Sequence, residues 1–141
     1  MISAVAHSTY TMEFRPGFRI SVFDILILVV GGVVAIYLAT VEATASFFVV
    51  FVVGHFFLFC NVFRISRPLE LIWAAFFLSL SIMTITVGYP GWMLTVVTSL
   101  ILSIGFIIWE TKLPSYHGIF WHRINPQLEE WWDKNIELRE R

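Results

Sequence analysis

What this sequence has least of is charge. Only 13% of its 141 residues are charged, about half the share of an ordinary soluble domain, while 58% are hydrophobic. That balance argues against a soluble globular protein and for a lipid-facing one. A single cysteine, Cys60, excludes an internal disulfide and a CxxC redox pair. The chain also lacks a phosphate-binding glycine loop, a serine nucleophile elbow, an HExxH motif and any cluster of carboxylates with histidines. Hydrolysis, disulfide chemistry and di-iron chemistry therefore lack their usual residues, and no cofactor is encoded by a recognisable motif. There is no basic tail of the kind nucleic acid requires. Asp24, Glu70 and Glu110 lie only at the ends of apolar runs, which disfavours ion-coupled export, where a buried acid sits near the middle of a span.

What is present is four long apolar runs, at about 23–41, 43–63, 70–88 and 92–110. Each is close to the ~20 residues a helix needs to cross a ~30 Å hydrocarbon core. None carries a charge in its middle. The expected fold is an all-α integral membrane protein with four transmembrane helices, in contact with the lipid bilayer. Residues 1–22 form a cytoplasmic or interfacial segment, 23–110 the bundle, and 111–141 a cytoplasmic tail. No cleaved signal peptide fits the start, because Glu13, Arg15, Pro16, Gly17 and Arg19 interrupt it, so the first span is expected to stay in the protein.

The nine basic residues set the orientation. Arg15 and Arg19 precede the first span, Arg64 and Arg67 separate the second from the third, and Lys112, Arg123, Lys134, Arg139 and Arg141 follow the fourth. The connections at Glu42 and at Tyr89-Pro90-Gly91 contain no Lys or Arg. The positive-inside rule then places both termini in the cytoplasm.

Local patterns fill in the rest. Alternation from Tyr10 to Phe14 and from Phe18 to Val22, around Pro16-Gly17, resembles a short hairpin, with an irregular interfacial segment as the alternative. Gly31, Ala35 and Ala39 lie four apart in the first span and form a close-packing face, as do Ala75 and Ser79 in the third and Thr95, Ser99 and Ser103 in the fourth. Those hydroxyls are expected to bond to helix carbonyls or across to a neighbour. Asn125-Pro126 predicts a helix start, the asparagine as N-cap, for an amphipathic cytoplasmic helix over about 126–140. Leu128, Trp131, Trp132, Ile136 and Leu138 form its apolar face. Five acids against three bases in 126–141 make it net −2, which favours docking on protein over anionic lipid.

Few residues can carry chemistry. His55, inside the second span, is a functional hypothesis by default; its alternatives are a ligand or relay, or a neutral imidazole bonded to a serine or threonine of another helix. With no second intramembrane histidine, a haem or metal there needs a partner's ligand. Cys60 lies about 140° around an ideal helix from His55, so the two do not share a face, and it is expected to behave as a small hydrophobe. Asn61 and Arg64 are candidates for tying helices together or for holding a ligand. Asp24, Arg64, Arg67, Glu70 and Glu110 form a rim at the inner ends of the spans, expected to be a network of ion pairs, or else a cationic site for a headgroup. His117 and His122 flank Tyr116, Phe120 and Trp121, and five residues apart they do not share a helix face; a membrane-surface anchor is favoured over a metal site.

Two functions fit this inventory. The first is a non-catalytic subunit or accessory component of a larger membrane complex, with other membrane subunits or further copies of itself as partners and no nucleic acid. The alternative is a membrane-embedded binder of a cofactor, lipid or small molecule, with or without enzymatic activity, using His55 and the polar residues Asn61, Arg64, His117 and His122.

Overall fold

A computed structural model describes residues 14–140, and the side chains of 14–135. In order come α1 (Val22–Val41), α2 (Ala43–Phe57), which runs on as a π-helical turn over Leu58–Phe63, α3 (Arg67–Val87), α4 (Trp92–Thr111), the short α5 (Trp121–Ile124) and α6 (Leu128–Glu140). The stretches 22–41, 43–63, 67–87 and 92–111 are long and apolar enough to cross a membrane. The described residues contain no strand.

The helix boundaries have local causes. Ser21 and Asp24 form a capping box that starts α1: the Ser21 N–H donates to Asp24 Oδ2 at 2.6 Å and the Asp24 N–H to Ser21 Oγ at 3.2 Å. Glu42 ends α1 by donating its N–H to Leu38 O, and its carboxylate starts α2 by accepting from Thr44 N (3.2 Å) and Ala45 N (2.6 Å). The Ala45 bond first, then Thr44, holds the Glu42 carboxyl below the usual carboxylate range. A one-residue link leaves α1 and α2 antiparallel neighbours. Pro68 sits in the first turn of α3, where its missing N–H needs no partner. Gly88, at φ 77°, closes α3 in the left-handed conformation that glycine adopts without strain.

Each hairpin packs by a different device. In α1–α2 small residues let the backbones approach: a Cβ on Gly31 would lie 2.9 Å from Val53 Cγ2, Ala35 is buried, and Ser46 Oγ donates to the Ala35 carbonyl at 2.8 Å. In α3–α4 polar groups bridge: Thr84 and Thr95 hydroxyls meet at 3.0 Å and Trp73 Nε1 donates to Ser99 O at 3.1 Å. Ser99 and Ser103 bond back to the carbonyls of Thr95 and Ser99, both at 2.7 Å. The hairpins meet along an aromatic seam, Phe48 against Phe77 and Trp92, and Phe51 against Trp73 and Phe77. This seam leads to a core of Phe59, Ile65 and Trp73 at the end of the bundle marked by Arg64. Outward, α1 exposes apolar residues along its length, a surface suited to hydrocarbon and not to water.

Two local expectations concern the ends of the chain. From Phe14 to Ile20 the chain is irregular, the second of the two expectations for this segment, with no hairpin over these residues; Tyr10 to Glu13 lie outside the described residues. α6 begins at Leu128, and Asn125 does not cap it with its side chain; its amide donates instead to the carbonyls of Pro114 (2.6 Å) and Tyr116 (3.2 Å), which fold the tail back on itself. Leu128 is fully buried, Trp131 and Trp132 are half-buried, and Glu129 and Glu130 are exposed. The side chains of Ile136 and Leu138 lie outside the described set.

Candidate functional site

The site is built on the end of α2. Over Leu58–Phe63 the helix widens to π geometry, and Arg64 then turns the chain in a left-handed conformation (φ 50°, ψ 49°). The N–H groups of Arg64 and Ile65 both go to Phe59 O, the latter at 2.8 Å. A helix end leaves carbonyls without intrahelical partners, and here segments from both sides of the bundle supply donors. Arg19 N–H reaches Asn61 O (3.3 Å) and Ile119 N–H reaches Val62 O (2.8 Å). Gly17 N–H donates to His117 O at 2.7 Å, and Arg64 Nη1 donates to Arg15 O at 2.6 Å. Gly118 lies so close that a Cβ there would be 2.7 Å from the Phe63 carbonyl carbon and closer still to its oxygen. Phe14 packs edge-on against Trp121 and Trp132, so the tail docks on the segment before α1. Tyr116, 1% exposed, donates to Ile119 O; burial pushes its hydroxyl pKa up.

Beside this plug lies a cavity of about 660 Å³ between α1, α2 and the start of α3. Its polar mouth is Ser21, Asp24, Cys60, Asn61, Arg67 and Glu70, with Phe23 beside them; farther along the helices the walls are Ile27, Leu28, Val53, Phe56 and Phe57. With its amide nitrogen facing its two acceptors, Asn61 donates to Asp24 Oδ2 at 2.9 Å and to Arg19 O at 2.6 Å, tying α2 to α1. Glu70, 5% exposed, takes the Cys60 thiol at 3.2 Å, and Arg67 Nη1 stands 3.9 Å away. Cys60 is thus a donor to a buried carboxylate and more than a small hydrophobe.

The five rim residues separate into two sets. Asp24, Arg67 and Glu70 face the cavity, whereas Glu110 accepts from Ser66 Oγ at 3.1 Å and Arg64 binds the Arg15 carbonyl. Asp24 and Glu110 take neutral donors, where the sequence suggests ion pairs. Burial, then Arg19, lowers the Arg64 pKa.

The three described histidines, His55, His117 and His122, fall in three different places. His55 is away from the cavity: its ring stacks on Trp73 (4.6 Å between centroids, 8° between planes) beside Phe51 and Phe59. Its Nδ1 bonds the Phe51 carbonyl of its own helix at 2.9 Å, in place of a serine or threonine across the bundle, and because a carbonyl only accepts, that nitrogen carries the proton. His117 is in the plug, with Nδ1 on Ser115 O at 2.8 Å. Burial lowers its pKa, Ser115 opposes this and Arg64 adds to it. His122 is exposed, edge-on to Trp121. No group of three His, Cys, Asp or Glu able to hold a metal occurs among the described residues.

Sequence reasoning missed Ser21, Ser66 and the apolar cavity walls. Ser21 had a signal, its spacing of three to Asp24. The walls had none, since Phe23, Ile27 and Leu28 are indistinguishable in composition from the lipid-facing positions around them.

Comparison with models of known families, with curated proteins and with solved structures finds no match to this chain. The fold itself defines the class: the described residues are all-helical, with four helices long and apolar enough to cross a membrane.

Proposed function

We propose that this is a four-span membrane protein that binds an amphiphile in the cavity beside α1 and α2, with its basic end in the cytoplasm. One observation carries this: the cavity is polar at the helix ends and apolar one to two turns deeper, the order of a headgroup and its tail. Its volume, about 660 Å³, falls within the ~300–1,000 Å³ of small-molecule sites.

A role as subunit of a larger assembly is the second reading. The features that suggest it from sequence are used inside the chain, since Gly31 and Ala35 pack on α2, Leu128 is buried and Trp132 meets Phe14. What favours it is Gly32 on α1, whose Cβ position has open space within 4 Å, a notch where another helix can seat.

Purification of the full chain in mild detergent, followed by organic extraction and mass spectrometry, separates the two. The amphiphile reading expects one stoichiometric lipid or hydrophobic small molecule per chain. Stoichiometric protein subunits with no bound amphiphile would reject it in favour of the assembly.

A further inference from the structure

Among the described residues, one side chain gives Glu70 a hydrogen bond, the thiol of Cys60. An ionised carboxylate offers about four acceptor positions, and a buried one is costly unless they are filled. Glu70 is 5% exposed; it takes the Cys60 thiol at 3.2 Å and is paired in charge with Arg67, which at 3.9 Å is beyond hydrogen-bond reach. A thiol is a weak donor. Glu70 also lines the cavity mouth, as does Asp24 on α1. A group entering there meets two carboxylates and, at the rim, the guanidinium of Arg67, whose side chain is 86% exposed, with the charge of Arg19 acting on Asp24 from outside the mouth.

We infer that the cavity selects an aminophospholipid, a lipid whose headgroup carries a primary ammonium and a phosphate; this rests on the amphiphile reading above. The ammonium supplies N–H donors to Glu70 and a counter-charge between Glu70 and Asp24. The phosphate lies at the rim toward Arg67, which has the freedom to reach it. One acyl chain follows Ile27, Leu28 and Phe56 into the hydrocarbon. A trimethylated headgroup has charge but no N–H to give Glu70, and a glycerol headgroup brings a net negative charge against two carboxylates.

The test is native mass spectrometry of the full chain titrated with phosphatidylethanolamine, its N-methyl and N,N-dimethyl forms, phosphatidylcholine and phosphatidylglycerol, all with the same acyl chains. One phosphatidylethanolamine per chain is expected, bound about tenfold more tightly than phosphatidylcholine, the scale of a hydrogen bond to a charged group, with affinity falling at each methylation. Glu70→Gln should remove the preference for the amine, and Leu28→Trp should weaken every lipid by filling the tail channel, with circular dichroism confirming that each variant is folded. If Glu70→Gln does not fold, the methylation series on the unaltered chain decides alone. Equal affinity across that series, or preference for phosphatidylglycerol, overturns the headgroup inference while leaving an amphiphile site. Failure of every lipid to bind stoichiometrically overturns both.

Discussion

His55 and His117 show how one residue type takes opposite roles from its surroundings. His55 gives its Nδ1 proton to its own helix and lays its ring flat on Trp73, so it is an aromatic of the seam between the hairpins. His117 is held in the plug, where its carbonyl accepts from Gly17 and its imidazole is half-buried near Arg64. Burial favours the neutral ring. With the folded pKa depressed below the ordinary value of about 6.5, the unfolded chain binds more protons in the window between the two. The neutral ring's contribution to docking is therefore full above that ordinary value and falls as pH drops through it toward the folded pKa. Thermal unfolding in detergent from about pH 8 to about pH 5 should show stability falling with acidification, and His117→Gln should flatten that part of the profile. An unchanged slope in His117→Gln would exclude His117 as its source.

At the scale of helices, the α1–α2 contact depends on which of two adjacent glycines faces inward. Gly31→Ala drives a methyl to 2.9 Å from Val53 Cγ2, and the β-branched valine has few rotamers in which to retreat, so a loss of about 1–3 kcal/mol is expected. Gly32→Ala meets nothing within 4 Å and should gain about 0.5–1 kcal/mol from helix propensity. Opposite shifts in the thermal midpoint are the signature; equal shifts would mean that the hairpin does not pack on Gly31. The long helices are legible in the sequence because a run of some 20 uncharged apolar residues has few other solutions. The π-helical turn is not, since Leu58 to Phe63 is as apolar as the helix before it and its partners, Arg19 and Ile119, are remote in sequence. Without that turn the cavity cannot be foreseen, although Asp24, Asn61 and Glu70 each stand out as polar residues at helix ends. Asn125 is legible only in part: its backbone carbonyl accepts from the Leu128 N–H at the start of α6, while its amide donates to the carbonyls of Pro114 and Tyr116, which are remote in sequence.

For the molecule as a whole, the two ends of the bundle differ in kind. One carries Arg15, Arg19, Arg64, Arg67 and Lys112 and is covered by the docked tail; the other consists of Glu42 and the turn Gly88 to Gly91. Translocating the first end would carry that whole cluster across the hydrocarbon, and each Lys or Arg at its centre costs about 2.5–3.5 kcal/mol. Translocating the second end carries one carboxylate and a compact turn. The same asymmetry bears on the cavity, whose mouth opens at the basic end: with that end in the cytoplasm, as proposed, an amphiphile would enter from the cytoplasmic leaflet. In a Cys60→Ser background, which keeps a donor for Glu70, a cysteine can be placed at Tyr89 or at Gln127, both exposed. In intact cells a membrane-impermeant maleimide should label Tyr89→Cys, whereas Gln127→Cys should react only after permeabilisation. Labelling of Gln127→Cys in intact cells would invert the bundle and move the cavity mouth to the outer leaflet. A bilayer with amine lipid confined to one leaflet then joins the two questions, because the amine preference of Glu70 should be expressed only when that lipid is in the leaflet facing Gln127.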